Sequence, residues 1–307
     1  LRGQDMAIKG FNRKGGVAGR NVRLVTLDDA YDPQKTVVNV KQLLERDDVM
    51  ALYGLSNTAG VGAVLPIVAE RKVPLVGVYA GSPALRARHN PYFFTTMASY
   101  HDEVVQMVRN LVTLYRSDIA LVYQNSPFGQ LMAPVVEATC KELGANLVAK
   151  ASLEVSGADA ETAVTTLAAA KPQGVIFMSF GPSLIPFVKI ARKKIAAPIY
   201  CVSIAGSRQL LDALGDEGRG LALAQIVPYP YRAVTPLTRS YHAAMEAADR
   251  PVDYDHFFGY LNLQILLEGM RRAGRGITPQ KVVAAMESMH DTDLGGYTVG
   301  FSPTNHH

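Results

Sequence analysis

Short apolar runs alternate with amphipathic helical stretches along most of this chain, and this alternation constrains the fold more than any other feature. The run from Val73 to Tyr79 has the composition of a buried strand, whereas the segment after Asp32 carries an apolar stripe at helical spacing. Strands that alternate with helices predict parallel sheets covered by helices. Two consecutive sets of such units in 307 residues predict an α/β protein with two doubly wound lobes, since one core rarely exceeds about 250 to 300 residues.

The same patterns predict individual elements. Residues 22–28 (VRLVTLD) read as a strand, and Asp32 and Pro33 read as the cap and first turn of the helix that follows. After PYPYRAVTP three helices follow in a row, before the short strand YTVGF. The middle helix carries an aromatic stripe that includes Phe257 and Tyr260, which is more typical of packing than of a pocket.

Composition excludes several classes of protein. The 31 basic and 27 acidic residues are scattered, so we expect no nucleic-acid partner. No apolar run approaches the roughly 18 residues that a membrane span needs. Cys140 and Cys201 lack the spacing of a metal site; buried thiols are the main interpretation and a disulfide is the alternative. His306 and His307 are assigned no metal role.

Motifs for catalysis are missing from the sequence. There is no GxGxxG after a predicted strand, no GxxxxGK[ST] and no HExxH. The stretch GLSNT resembles a nucleophile elbow, but Thr58 stands where a small glycine is needed for the sharp turn. We therefore predict no enzymatic activity, no cofactor and no metal.

Small residues follow the strand predicted over Val73 to Tyr79, where Ala80, Gly81 and Ser82 precede Pro83. In open α/β sheets, ligands bind beyond the carboxyl ends of the strands, where helix N-termini offer free N–H groups to an anion. Small side chains at this point would let a ligand approach the backbone. The alternative is that this segment only turns the chain and caps a helix.

Four segments carry a resemblance to a known family: GGVAGR with DDAYDP after the next strand, KVPLVGVYAGSPALR, NSPFGQ and DLGGYTVGFSPTN. With these segments in this order, the whole chain resembles the substrate-binding proteins of ABC transporters, and among them the branched-chain amino acid (leucine, isoleucine, valine) binding proteins. The resemblance implies the type I periplasmic-binding fold, whose two lobes close on a ligand by hinge motion. It places one lobe at residues 1–99 and 230–300 and the other at 101–228, with crossings near 98–102, 227–231 and 300–303.

The resemblance also implies ligand contacts. A ligand carboxylate would meet the hydroxyl of Thr58, with Ser56 nearby, and main-chain groups of Tyr79, Ala80 and Gly81. Candidates from the opposing lobe are Tyr100, Phe128, Pro182 and Ser183, although a phenylalanine at a helix start, such as Phe128, is as often part of the core.

Ser203 stands where the amino acid binders of this family place a glutamate for the ligand's ammonium group. A buried ammonium without an anionic partner costs about a few kcal/mol. We therefore hypothesise a ligand with a carboxylate or amide end and no obligatory amino group. A carboxylate from an unaligned position would restore amino acid binding.

These expectations predict a protein that captures a small organic ligand in a cleft between its lobes and delivers it to an ABC transporter permease. We expect a monomer in the periplasm, or lipid-anchored outside the cytoplasm, with a signal peptide in its precursor. Family members begin with a strand ahead of the first helix and continue past FSPTN, so we expect both ends to be missing here. The alternatives are a sensory or regulatory ligand-binding domain of the same fold and, less favoured, an α/β enzyme.

Overall fold

The computed structural model describes residues 2–205 and 208–307. The chain divides into two compact units, Leu1–Met97 with Val227–His307 (unit 1) and Ala98–Ile226 (unit 2). The first two crossings, predicted near 98–102 and 227–231, adjoin these divisions, whereas residues 300–303 lie within unit 1.

The first segment of unit 1 builds a small parallel sheet covered by helices. Its elements are α1 (Arg2–Arg13), α2 (Pro33–Leu44), β1 (Leu52–Tyr53), α3 (Thr58–Arg71), β2 (Leu75–Val76) and β3 (Phe93–Phe94). The strands pair in the order β1-β2-β3, and all are parallel. Apolar side chains of α2, α3 and the strands, including Val40, Val64 and Leu75, form one buried cluster.

Unit 2 contains a larger parallel sheet. Its elements are α4 (Tyr100–Thr113), β4 (Asp118–Gln124), α5 (Pro127–Glu142), β5 (Asn146–Leu153), α6 (Ala160–Ala169), β6 (Gly174–Met178), α7 (Leu184–Lys194), β7 (Ile199–Cys201), α8 (Arg208–Leu214) and β8 (Leu221–Leu223). The strand order is β5-β4-β6-β7-β8, with every pair parallel. Every residue of β6 is buried, as expected for a central strand covered on both faces. The predicted α/β class with parallel sheets is confirmed.

The chain then completes unit 1. Its remaining elements are α9 (Pro236–Glu246), α10 (Tyr254–Ala273), α11 (Pro279–Glu287) and the antiparallel pair β9 (Thr292–Asp293) and β10 (Thr298–Val299). On α10, Phe257 and Tyr260 are buried and their rings lie 4.8 and 5.4 Å from the ring of Tyr241. The aromatic stripe of α10 is thus packing, as the sequence indicated.

The cap predicted for α2 is confirmed. Asp32 accepts hydrogen bonds from the backbone N–H groups of Gln34 at 2.8 Å and Lys35 at 3.4 Å, and Pro33 is the first helical residue. Asp32 therefore satisfies two donors that the start of a helix would leave without partners.

The strand predicted over residues 22–28 is wrong. This segment has no strand partner among the described residues, and its apolar side chains Val25 and Leu27 are exposed. Residues 22–25 and residues 50–53 both line a cavity of about 880 Å³. Because a strand is defined by hydrogen bonds to a neighbour, a suitable sequence without that neighbour stays irregular.

Candidate functional site

The loop after β1 leads into the N-terminus of α3 and carries two of the predicted ligand contacts. Ser56 is exposed, and Thr58, the first residue of α3, is half-buried. Between them, Asn57 caps the helix: its Oδ1 accepts hydrogen bonds from the N–H groups of Ala59 and Gly60, each at 3.1 Å. Because Asn57 provides the cap, the hydroxyl groups of Ser56 and Thr58 are not needed for it.

The loop after β2 lies beside the loop after β1. The backbone N–H of Tyr79 donates to the carbonyl of Leu55 at 2.8 Å. The Tyr79 ring packs edge-on against Phe258, with centroids 4.8 Å apart, and its hydroxyl donates to Asp255 at 3.3 Å. Burial and the negative charge of Asp253 raise the pKa of Asp255. The structure therefore brings the two predicted contact loops together and uses the Tyr79 N–H to join them.

The segment after Tyr79 contains a buried hydroxyl group. Ala80, Gly81 and Ser82 are buried, and the Ser82 Oγ has no hydrogen-bond partner in the part of the chain that the structure describes. Ser82 precedes a short 3₁₀ turn, Pro83–Arg86, but its side chain does not cap that turn. The side-chain cap considered as the alternative role for this segment is therefore absent. A buried hydroxyl without a partner costs about 1 to 3 kcal/mol, which a ligand group could recover.

Aromatic side chains gather at the carboxyl ends of the unit 2 strands. Tyr100 and Phe128 pack edge-on, with ring centroids 5.3 Å apart, and Phe128 packs in the same way against Phe180 at 5.4 Å. Phe128 is the second residue of α5 and is buried. Its neighbour Gly129 lies so close to Gln124 that a Cβ atom would be 1.9 Å from the Gln124 carbonyl oxygen. Two predicted contacts, Tyr100 and Phe128, thus belong to one apolar cluster.

A polar network lies beside this cluster. The hydroxyls of Ser179 and Ser183 are 2.8 Å apart, and Gln124 donates to the Ser179 Oγ at 3.3 Å and to the Phe180 carbonyl at 3.2 Å. Ser183 is fully buried, whereas Pro182 is exposed. The hydroxyl of Ser183 is therefore occupied inside the protein, and Pro182 is the more accessible of these two candidates.

Ser203 follows β7 and is bound to a carboxylate. Its backbone N–H donates to Glu103 Oε2 at 2.7 Å, and its Oγ donates to Glu103 Oε1 at 2.8 Å. Burial raises the pKa of Glu103 from 4.5 to about 7, and the hydrogen bonds from Ser203 oppose that shift. A carboxylate from α4 therefore lies beside Ser203, at a position that the alignment with the amino acid binders does not give.

Sequence reasoning missed Glu103 and Ser82, although the sequence carried a signal for the first. On α4 the buried residues include Tyr100, Val104 and Met107, and Glu103 falls on that same face. An acidic residue on an apolar helical stripe indicates a buried charge. Ser82 carries no such signal, since a serine between glycine and proline is typical of an ordinary turn.

The described residues also bear on membrane spanning, on metal binding and on the two cysteines. No helix within 2–205 or 208–307 combines the length and apolar character needed to cross a bilayer. In the same ranges, no three His, Cys, Asp or Glu side chains are grouped as metal ligands would be. Cys140 and Cys201 are both free and buried, as the main sequence interpretation had it.

Several known proteins are similar to this chain over nearly its whole length. A "Leu/Ile/Val-binding protein homolog 7" from Brucella abortus (strain 2308) is 24% identical over 318 residues, covering 98% of this chain and 78% of the relative. A substrate-binding periplasmic protein from Ralstonia solanacearum is 29% identical, with a TM-score of 0.90 over 100% of this chain and 90% of its own. A fatty acid ABC transporter substrate-binding protein from Thermomonospora curvata is 21% identical, with a TM-score of 0.86 over 99% of this chain and 80% of its own.

The model of one family, described as periplasmic binding protein, matches residues 1–307. That match spans the entire chain, and the solved structures share its fold. The chain therefore belongs to the periplasmic binding protein family.

Proposed function

We propose that this protein captures a small organic ligand bearing a carboxylate or amide group and delivers it to the permease of an ABC importer, without chemical change. The family supports ligand binding and an extracytoplasmic location. Two similar proteins, a Leu/Ile/Val-binding protein homologue and a fatty acid ABC transporter substrate-binding protein, support small carboxylates as the ligand class. The finer proposals are a periplasmic or lipid-anchored location and a monomeric state without nucleic-acid partners.

One observation carries the proposal: the loops after β1 and β2 adjoin through the bond from the Tyr79 N–H to the Leu55 carbonyl, at the N-terminus of α3. The carboxyl ends of neighbouring parallel strands are where ligands bind in open sheets, and a helix N-terminus favours an anion. No acidic or basic residue lies in Leu55–Thr58 or in Tyr79–Ser82, so nothing in these segments would repel a carboxylate.

Specific roles follow for the residues of these loops. The proposed carboxylate contacts are the hydroxyls of Thr58 and Ser56 and the main chain of Tyr79, Ala80 and Gly81, to which we add the buried Ser82 hydroxyl. In unit 2 the proposed contacts are Tyr100, Phe128, Pro182 and Ser203, with Ser183 acting through its bond to Ser179.

A thermal-shift screen tests the proposal directly. The panel pairs amino acids with the carboxylic acids that lack only the amino group. A ligand at 100 times its Kd should stabilise the folded protein by about 2.7 kcal/mol. If neither series raises the Tm, capture of small carboxylates is wrong.

A variant then locates the contact. Thr58→Val keeps the shape of the side chain and removes its hydroxyl, so affinity for a bound acid should fall about tenfold or more, as expected for a hydrogen bond to a charged group. The control is Thr304→Val, at an exposed threonine of the same unit but outside both loops. Equal affinity in both variants would remove Thr58 from the site.

A further inference from the structure

Tyr31 has an unusual backbone conformation that nothing described so far explains. It lies in a short acidic turn, residues 28–32, just ahead of α2. Its φ angle is 62°, and that of its neighbour Ala30 is 49°. Both angles are in the left-handed region, which costs free energy for any residue with a Cβ atom and is an outlier for a bulky one. Two such residues in succession therefore call for a reason.

The usual reason for a left-handed residue does not apply to Tyr31. Left-handed residues are ordinary where a helix ends, because they let the last carbonyl groups find partners. Tyr115 is such a case: its φ angle is 58°, it follows α4, and its N–H donates to the Val112 carbonyl at 2.9 Å. Tyr31 instead precedes a helix, so no helix end accounts for its conformation. The left-handed residues that likewise follow helices are Lys72, Lys171 and Asp249.

Hydrogen bonds hold the turn in this conformation. The N–H groups of Ala30 and Tyr31 donate to the carboxylates of Asp28 at 2.8 Å and Asp29 at 2.9 Å. The Tyr31 carbonyl accepts a hydrogen bond from the Asn57 Nδ2 at 2.6 Å. Strained backbone persists only where its surroundings over-determine it, and such residues concentrate at functional sites. These bonds therefore fix the backbone from which the Tyr31 side chain projects.

Asn57 places Tyr31 beside the proposed carboxylate contacts. It is only 4% exposed and lies between Ser56 and Thr58 in the loop after β1. Its Oδ1 caps α3 while its Nδ2 holds the Tyr31 carbonyl. One buried side chain thus fixes both the helix N-terminus and the turn, and all of these residues belong to unit 1.

The turn presents an aromatic ring among acidic groups that are already engaged. Tyr31 is 50% exposed. Asp28 and Asp29 accept hydrogen bonds within the turn, and Asp32 caps α2. An aromatic ring offers a large apolar surface, whereas the negative charges around it would repel a second anionic group. The turn is therefore suited to the neutral, apolar part of a ligand whose carboxylate lies at Thr58.

We propose that the Tyr31 ring packs against the apolar body of the ligand and is a specificity-determining contact of unit 1. The proposal rests on the proposed function and narrows the ligand to compounds with one carboxylate on an apolar or aromatic body. It explains the strained backbone by the position that this backbone gives the ring. Relief of the strain with loss of the ring should therefore weaken binding without weakening the fold, as is common at functional sites.

The variant Tyr31→Asn tests this combination of effects. Asparagine adopts the left-handed conformation more readily than other residues with a side chain, so the Tm should stay at or above the native value. The probes for calorimetric titration are 3-phenylpropanoate, 4-methylpentanoate, phenylalanine and leucine. Affinity for a probe that binds should fall about tenfold or more, because an aromatic contact is lost. Tyr31→Phe keeps the ring and should bind within about threefold of the native protein.

Tyr115→Asn is a matched control. Tyr115 is also a tyrosine with a positive φ angle and is 92% exposed. It lies in the connection from α4 to the amino end of β4, whereas ligands of open sheets bind at the carboxyl ends of strands. Tyr115→Asn should keep the Tm at or above the native value, as Tyr31→Asn does, and should leave affinity unchanged.

The outcomes separate this proposal from the proposed function. If Tyr31→Asn binds a probe as tightly as the native protein, or if Tyr31→Phe loses as much affinity as Tyr31→Asn, the ring contact is overturned while ligand capture stands. A Tm clearly below the native value in Tyr31→Asn alone would show that the ring supports the fold, which also overturns the proposal. If the native protein binds none of the four probes, both proposals fail.

Discussion

The two units present different chemistry at the carboxyl ends of their parallel strands. In unit 1 the loops after β1 and β2 offer hydroxyl groups, main-chain groups and the N-terminus of α3, with no acidic or basic residue in either segment. In unit 2 the same position in the sheet carries three packed aromatic rings and the buried carboxylate of Glu103. The two units thus share a parallel-sheet architecture while their loops carry different chemistry, which is where the function of a fold resides.

The units also differ in how tightly the helix that follows a contact loop is held. Gly60 and Gly129 are both the third residue of such a helix, in α3 and α5. A Cβ atom on Gly129 would meet the backbone oxygen of Gln124 at 1.9 Å, whereas one on Gly60 would meet the side-chain oxygen of Thr36 at 2.6 Å. Rotation of Thr36 does not relieve this contact, because its Cβ would also lie at 2.9 Å, but the overlap at Gly129 is the more severe and involves backbone. The start of α5 is therefore the more tightly constrained of the two.

The largest expected effect tests this difference. Gly129→Ala should lower the free energy of unfolding by about 3 kcal/mol, since the backbone must move. Gly60→Ala should cost less, about 1 to 2 kcal/mol, because the buried Thr36 must shift while alanine is the better helix former. Urea unfolding followed by circular dichroism measures both variants. Equal losses would show that the two helix starts are equally constrained.

The next effect concerns Glu103 and the pH dependence of stability. The folded state keeps Glu103 protonated up to a pH of about 7, whereas the unfolded chain releases the proton near 4.5. Between these values the native state binds more protons, so its stability falls as pH rises, by about 3 kcal/mol in total from this residue. Relative to the native protein, Glu103→Gln should therefore become progressively more stable from pH 4.5 to pH 7. A difference that does not change with pH would contradict the raised pKa.

A smaller effect is expected at Ser82 in unit 1. Ser82→Ala removes a buried hydroxyl that has no partner among the described residues, so stability should be unchanged or rise by up to about 1 kcal/mol. If this hydroxyl contacts the ligand carboxylate, affinity should fall about tenfold in the same variant. Thermal unfolding and calorimetric titration give the two values. A clear loss of stability would show that the hydroxyl has a structural role.

The smallest effect is expected at Tyr79. Tyr79→Phe keeps the ring against Phe258 and removes the hydrogen bond to Asp255, for an expected loss of about 0.5 kcal/mol, the low end for a hydrogen bond, because this bond is long and exposed. Because that hydrogen bond lowers the pKa of Asp255, the pKa should rise further in the variant, which NMR titration can follow. A fall in this pKa would contradict the observed geometry.

Sequence patterns predicted the parts of this structure that depend on local chemistry. Asp32 with Pro33 marked the start of α2, and the alternation of apolar runs with helices gave the α/β class with parallel sheets. The failures involve interactions between distant residues. Residues 22–28 have a strand sequence without an adjacent strand, and Glu103 reaches Ser203 across 100 positions of the chain. No local pattern encodes which carboxylate will lie beside a given serine.

The two native cysteines have a practical consequence for measuring ligand binding. Cys140 and Cys201 are almost fully buried, and burial raises their pKa to about 11 and about 12. Since thiolates are the reactive form, both should react slowly with maleimide dyes at neutral pH. A cysteine introduced at the exposed Gln130, two residues after Phe128, would then be the site of selective labelling. Slow labelling of Cys140 and Cys201 would therefore leave most of the dye on the introduced cysteine, as a fluorescent sensor for the ligand requires.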